Sequence, residues 1–184
     1  MGQRLRLSAI AGLCGLLLRV PIIFLDYSFV PGVLARANPQ LAELAFWIYA
    51  LSGFAFICFL WGFANLGYTR NDAALRLTSY LLIVAYGITQ ILGIAIFYNP
   101  IIYIAFGPLV NAPLILVRAT LTILLGVAIL RSQNNDGLNT WAAVCAALTG
   151  IAVLSQLTRV SLDDIASVPF LITGALLLMR ASEN

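Results

Sequence analysis

Six long apolar runs occupy most of the chain and restrict its fold more than any other feature. They cover residues 7–25, 41–66, 75–98, 109–130, 140–157 and 164–179, with short polar or proline-containing breaks between them. A helix needs about 20 apolar residues to cross a bilayer, where every backbone polar group must be satisfied internally. The runs lack the polar and apolar alternation of barrel strands. They predict an all-α polytopic membrane protein, a bundle of six transmembrane helices.

Composition leaves no room for a second, soluble domain. Of the 184 residues, 62% are hydrophobic and 9% are charged, whereas a soluble domain carries roughly a quarter charged residues. Six spans with short connections consume almost the whole chain. We therefore expect one transmembrane domain over residues 1–184, with the lipid bilayer as its first partner.

The polar residues exclude several functional classes. The cations are ten arginines spread singly along the chain, which argues against nucleic acid as a partner. The chain has no histidine, the commonest metal ligand and general base. Cys14, Cys58 and Cys145 lie in apolar runs without a paired spacing and fit packing roles. We expect no metal, no cofactor and no catalytic residues, although an enzyme that uses only carboxylates stays open.

The distribution of arginines predicts the orientation of the bundle. With the N-terminus in the cytoplasm, six of the ten fall on the cytoplasmic side, where membrane proteins concentrate their cations. These six are Arg4, Arg6, Arg70, Arg76, Arg131 and Arg180. The pattern predicts that both termini lie inside. A rival interpretation, in which the first run is a signal peptide cleaved after Ala35-Arg36-Ala37, is disfavoured because Arg19 interrupts the run.

Two weak internal repeats compete. Leu5-Arg6-Leu7-Ser8 resembles Leu75-Arg76-Leu77-Thr78, which suits a repeated helical hairpin. In the other version Ala50-Leu51-Ser52-Gly53 resembles Ala147-Leu148-Thr149-Gly150, which pairs the first three helices with the last three as inverted halves.

Two arginines are predicted at matching depth in the outer half of the membrane. Arg19 follows Arg6 by thirteen residues, and Arg118 precedes Arg131 by thirteen. At 1.5 Å per residue each lies about 20 Å from the cytoplasmic boundary of a core about 30 Å thick. Gln90, on the third helix, reaches nearly the same level. An arginine near the bilayer centre costs about 2.5–3.5 kcal/mol, so both need a partner or a cavity.

Two interpretations of this pair stay open. The outer boundary offers four carboxylates, Asp26, Glu43, Asp163 and Asp164. In the first interpretation, the guanidinium groups pair with these carboxylates, chiefly Asp26 or Glu43, and hold helices in register. In the second, they line an outward-facing pocket that binds a small anionic or polar solute or a lipid, because a guanidinium can bind carboxylate or phosphate through two hydrogen bonds. The predicted binding residues are Arg19, Arg118, Gln90, Asn111 and Tyr86.

Three functional classes follow, and each makes a structural prediction. A solute or lipid binder or transporter needs a pocket at Arg19 and Arg118. A structural or assembly subunit, bound to another membrane protein or to a second copy, needs an exposed groove of small residues such as Gly87, Gly93, Gly126, Gly150 and Gly174. An enzyme needs carboxylates such as Glu43 and Asp26 at a cavity. We rank the binder first and the enzyme last.

The layout resembles that of small bacterial six-helix membrane proteins of unknown function. The residues that carry the resemblance are Tyr68-Thr69-Arg70, the segment from Gly126 to Arg131 with Ser132, Trp141, Gly150, and Leu178-Met179-Arg180. The resemblance implies the six-helix fold and a bacterial inner (plasma) membrane, and it supplies no activity or site. The uncharged stretch from Asn99 to Pro113, with three prolines, is expected to be an external connection.

Overall fold

The computed structural model describes residues 1–28, 39–132, 137–158 and 162–183, and over these residues the chain forms six α-helices. They are α1 (Gly2–Ser28), α2 (Pro39–Thr69), α3 (Ala73–Tyr98), α4 (Pro100–Arg131), α5 (Gly137–Val153) and α6 (Asp163–Ala181). A short 3₁₀ segment, Leu154–Thr158, continues α5. Ala35, Arg36 and Ala37 lie outside the described residues.

The helices form a closed ring in which each packs against its neighbours in sequence, and α6 returns to α1. Five helices contain segments long and apolar enough to cross a membrane: Glu43–Thr69, Ala73–Tyr98, Val110–Arg131, Gly137–Leu157 and Asp164–Ala181. The prediction of an all-α membrane bundle is thus confirmed. Helix α1 carries three arginines and packs along α2 and α6.

The third connection differs from the expectation for residues 99–113. Helix α3 ends at Tyr98 and α4 begins at Pro100, so Asn99 alone separates them. The side chain of Asn99 accepts a hydrogen bond from the backbone N–H of Ile101 at 3.2 Å. Pro100 occupies the first turn, where its missing N–H is tolerated. The prediction of a long external connection was wrong because Asn99-Pro100 starts a helix, and Pro108 and Pro113 lie within it.

The opposite end of the bundle gathers the arginines that predicted the orientation, and we call it the arginine-rich end. Arg6, at the start of α1, donates through Nε to the hydroxyl of Ser182 at 3.1 Å. Arg70, after α2, donates to the hydroxyl of Ser132 at 2.6 Å. The N-terminus, the turn between α2 and α3, and the ends of α4 and α6 therefore meet at one end of the ring.

The core contains a cluster of buried aromatic side chains toward the arginine-rich half. Phe56, Phe59 and Phe63 recur at helical spacing on α2 and are at most 1% exposed. Phe170 of α6 packs among them, with ring centroids 5.4 Å from Phe59 and 5.7 Å from Phe63. Phe56 also joins this cluster to the buried polar residues of the other half, since its ring centroid lies 4.8 Å from that of Tyr86 and 5.1 Å from the guanidinium carbon of Arg19.

The glycines expected to form an exposed groove serve mainly inside the bundle. A Cβ at Gly126 would lie 2.7 Å from the carbonyl oxygen of Ala143, and a Cβ at Gly150 would lie 2.8 Å from that of Ala119. Gly174 faces the rings of Phe59 and Phe63. These three are buried and let neighbouring helices approach closely, so they do not provide the exposed groove that a subunit would need. Gly87 and Gly93 have no such neighbours.

Candidate binding site around two buried arginines

Arg19 joins three helices through its guanidinium group. Its Nε donates to the hydroxyl of Ser52 on α2 at 3.2 Å, and its Nη1 donates to the hydroxyl of Ser167 on α6. Nη1 also lies 3.6 Å from Oδ1 of Asp164 in a buried ion pair. The residue is 9% exposed. A charge at this depth is therefore neutralised by a carboxylate and hydrogen-bonded on both sides.

The start of α6 explains how the carboxylate and the hydroxyl reach the same guanidinium. Helix α6 begins at Asp163, so Asp164 and Ser167 lie in its first turns, three residues apart on one face. The hydroxyl of Ser167 also donates to the carbonyl oxygen of Asp164 at 2.7 Å, which holds the two together. A negative side chain is favoured at this position by the positive end of the helix dipole.

Arg118 lies on the other side of the bundle interior, on α4. Its guanidinium carbon is 4.7 Å from the centroid of the Tyr86 ring on α3. Its Nη2 donates to Oε1 of Gln156 in the 3₁₀ segment at 3.4 Å. Only 4% of the residue is exposed. An aromatic face and a neutral amide therefore contact this cation.

A small cavity lies between the two arginines, and we call it the arginine cavity. Its walls come from α1, α2, α3, α4 and α6, and its lining residues are Arg19, Tyr49, Ser52, Gly53, Tyr86, Thr89, Gln90, Arg118 and Asp164. All of these except Gly53 carry a polar or charged group. Its interior measures about 10 Å³ for a water-sized sphere, which is roughly the space of one water molecule.

Gln90 occupies the cavity wall because the facing residue is glycine. The Gln90 side chain is 6% exposed and lies against Gly53 of α2, where an added Cβ would overlap its amide group. Gly53 therefore provides the volume that lets a polar side chain of α3 enter the interior. Sequence reasoning identified Gln90 by its depth alone, without this partner.

The structure brings four of the five predicted binding residues together. Arg19, Arg118, Gln90 and Tyr86 line one cavity, and counting residues places the first three of these at one level. Asn111 is not in the lining: it is exposed and lies seven residues before Arg118, about 10 Å along α4. Whether the four residues bind a ligand stays a prediction.

The ion-pair partner differs from the two carboxylates that the sequence favoured. Glu43 is exposed, nine residues before Ser52 on α2, and Arg19 pairs instead with Asp164. The side chain of Asp26 lies outside the described residues. Depth counting placed Asp164 at the outer boundary with the other carboxylates, but only the closure of α6 onto α1 shows that it meets Arg19.

Several site residues escaped the sequence analysis. Ser52, Thr89 and Tyr49 line the cavity. Ser167 accepts a hydrogen bond from Arg19, and Gln156 accepts one from Arg118. Serine and threonine are common in membrane helices, where they bond their own backbone. The one usable signal was the pairing of Ser52-Gly53 with Thr149-Gly150 in the weaker repeat, and it carried no information about depth.

Comparison with known proteins adds no homologue to this description. No family model, no curated protein and no solved structure matches the chain. The resemblance of its layout to small bacterial six-helix membrane proteins therefore stays a prediction from the sequence.

Proposed function

We propose that this multi-pass protein lies in a bacterial inner (plasma) membrane and binds a small anionic or polar solute in the arginine cavity. One observation carries the proposal. Two guanidinium groups, one carboxylate, one amide and four hydroxyls, contributed by different helices, converge on a single cavity inside the bundle. Ionisable residues inside a membrane are costly, and they commonly mark ligand or ion pathways.

The two arginines have different roles in this proposal. Arg19 is the structural one, because Asp164 neutralises it and two serines accept its hydrogen bonds. Arg118 is the binding one. The Tyr86 ring and the Gln156 amide orient its guanidinium plane, which holds a charged, planar donor at the cavity wall. The planar fork of arginine matches a carboxylate or a phosphate.

The size of the cavity limits the solute and implies local motion. Space for about one water molecule is too little for even a small anion. Binding therefore requires a side chain to rotate, and Tyr49 is the best placed because it is 42% exposed while it also lines the cavity. We infer that the solute is small and enters from the half of the membrane opposite the arginine-rich end.

Substitution of Arg118 tests the proposal. We expect inorganic phosphate or acetate to raise the unfolding temperature of the purified protein in detergent, and Arg118→Gln to weaken this binding at least tenfold, since a hydrogen bond to a charged group contributes about 1.5–3 kcal/mol. Arg118→Lys should recover part of the affinity, because it keeps the charge without the fork.

Arg131→Gln is the matched control, because Arg131 is exposed at the arginine-rich end. It should leave the anion effect unchanged. A wild-type protein that no small anion stabilises, or an equal anion effect in the Arg118→Gln variant, would overturn the proposal.

Substitution of Gly53 tests the cavity without removing a charge. In Gly53→Ala the new methyl group must displace the flexible amide of Gln90. We expect anion binding to weaken about fivefold, since a neutral hydrogen bond contributes about 1 kcal/mol. The unfolding temperature without the anion should change little, because the end of a side chain can move more easily than backbone. Gly93→Ala, at an open position on α3, should leave binding intact.

A further inference from the structure

A second cavity opens at the arginine-rich end, between α1 and α2. It measures about 380 Å³ for a water-sized sphere, within the range of roughly 300–1,000 Å³ that is typical of ligand sites. Its walls are Arg4, Leu7 and Ala11 of α1 with Cys58, Trp61 and Asn65 of α2, and Ser8 lies between them. We call it the α1–α2 groove.

The groove is a continuous strip along the bundle surface. Its α1 residues are spaced by three and four positions, and its α2 residues do the same, so each set lies on one face of its helix. Leu7, Cys58 and Trp61 are exposed. Each set spans seven residues, or about 10 Å along the helix axis. In a bilayer with a hydrocarbon core about 30 Å thick, the groove covers most of the depth of one leaflet.

Apart from the buried Ser8, the polar side chains of this strip lie toward one end. Arg4 is exposed near the start of α1, and Asn65 is 5% exposed near the end of α2. The amide nitrogen of Asn65 donates to the carbonyl oxygen of Trp61 at 3.0 Å, and the amide oxygen is the hydrogen-bond acceptor of this side chain. The deeper walls, Leu7, Ala11 and Cys58, are apolar.

We propose that the α1–α2 groove binds one anionic phospholipid from the leaflet at the arginine-rich end. Its acyl chain lies along Leu7, Ala11 and Cys58 beside the indole of Trp61, its phosphate pairs with Arg4, and a headgroup hydroxyl donates to Asn65. Charge complementarity favours this occupant, because an acidic headgroup matches the cations gathered at this end of the bundle. A phospholipid also has an apolar chain and a polar headgroup, which match the apolar walls and the polar end of the groove.

Native mass spectrometry of the delipidated full-length protein in detergent tests the groove. We expect phosphatidylglycerol to bind as one tight copy and phosphatidylcholine to bind more weakly. Arg4→Gln should lower the affinity for phosphatidylglycerol about fivefold, the effect of one cation near an acidic headgroup. Arg131→Gln, which removes an exposed arginine of the same end outside the groove, should change it much less.

A bulky substitution that fills the groove as a plug distinguishes lipid binding in the groove from general attraction of anionic lipid to the arginine-rich end. Cys58→Trp should fill the groove and remove the tight copy, whereas Leu148→Trp, at an exposed position of α5, should retain it. If Cys58→Trp fails to fold, Ala11→Phe provides a second plug. Equal binding of the two lipids, or a tight copy that survives a folded plug variant, would overturn the proposal. So would a stoichiometric protein partner that the plug displaces, because it would show that a helix occupies the groove.

Discussion

Asp164→Leu is expected to lower the free energy of unfolding by about 3–5 kcal/mol, the largest effect that we predict for a single substitution. The carboxylate of Asp164 lies 3.6 Å from Nη1 of Arg19, and both side chains are about nine-tenths buried. Removing one partner of a buried ion pair leaves the other as an uncompensated charge in a medium that solvates it poorly. Ser52 and Ser167 can donate or accept hydrogen bonds but cannot neutralise the guanidinium.

The double variant Arg19→Met with Asp164→Leu removes both charges. It shows whether the instability of Asp164→Leu comes from the lost ion pair or from the lone charge that remains. Buried ion pairs replaced by apolar residues of similar size often retain their stability, so we expect the double variant to recover most of the loss. The free energy of unfolding of both variants is measured in mixed micelles at an increasing fraction of denaturant. A double variant as unstable as Asp164→Leu would contradict this account and would show that the hydrogen bonds of Arg19 carry the stability.

Gly150→Ala is expected to destabilise the protein by about 1–3 kcal/mol, the range for an overpacked interior. A Cβ at this position would lie 2.8 Å from the carbonyl oxygen of Ala119 and 2.9 Å from the backbone nitrogen of Ile123. Both are backbone atoms of α4, so no side chain can rotate to make room and the two helices must separate. Gly126→Ala should behave similarly, since its Cβ would lie 2.7 Å from the carbonyl oxygen of Ala143.

Gly93→Ala is the matched control for this substitution. It lies in α3, and among the described residues nothing lies within 4 Å of the added Cβ. Alanine is the better helix former by about 1 kcal/mol in water, so this variant should be as stable as the wild type or slightly more stable. The same loss at Gly93 and Gly150 would mean that the effect comes from the glycine backbone and not from contact between α4 and α5.

The prediction of helices from the sequence succeeded where hydrophobicity decides and failed where capping decides. All six apolar runs lie within helices or their 3₁₀ continuation, because hydrocarbon leaves the backbone few other ways to satisfy its polar groups. The stretch from Pro100 to Pro113 was predicted to be part of a connection because it contains three prolines. Asn99 as a cap and Pro100 in the first turn instead begin α4 there.

For the arginine cavity, depth was predictable and contact was not. Counting residues from the basic end placed Arg19, Arg118 and Gln90 at one level, and the three line one cavity. Counting cannot distinguish Asp164 from Glu43, since both are carboxylates near the same boundary. It also could not indicate that Gly53 makes space for Gln90.

By itself, then, the sequence determined the environment, the helices and the level of each charged residue, because hydrophobicity and the constant rise of a helix are local properties. Only the tertiary structure decided which faces meet. The closure of α6 onto α1 gives Arg19 its carboxylate, and the approach of α3 to α4 sets Arg118 over Tyr86. The rotation of each helix about its axis depends on packing against neighbours distant in the chain, and residue spacing within one helix does not specify it.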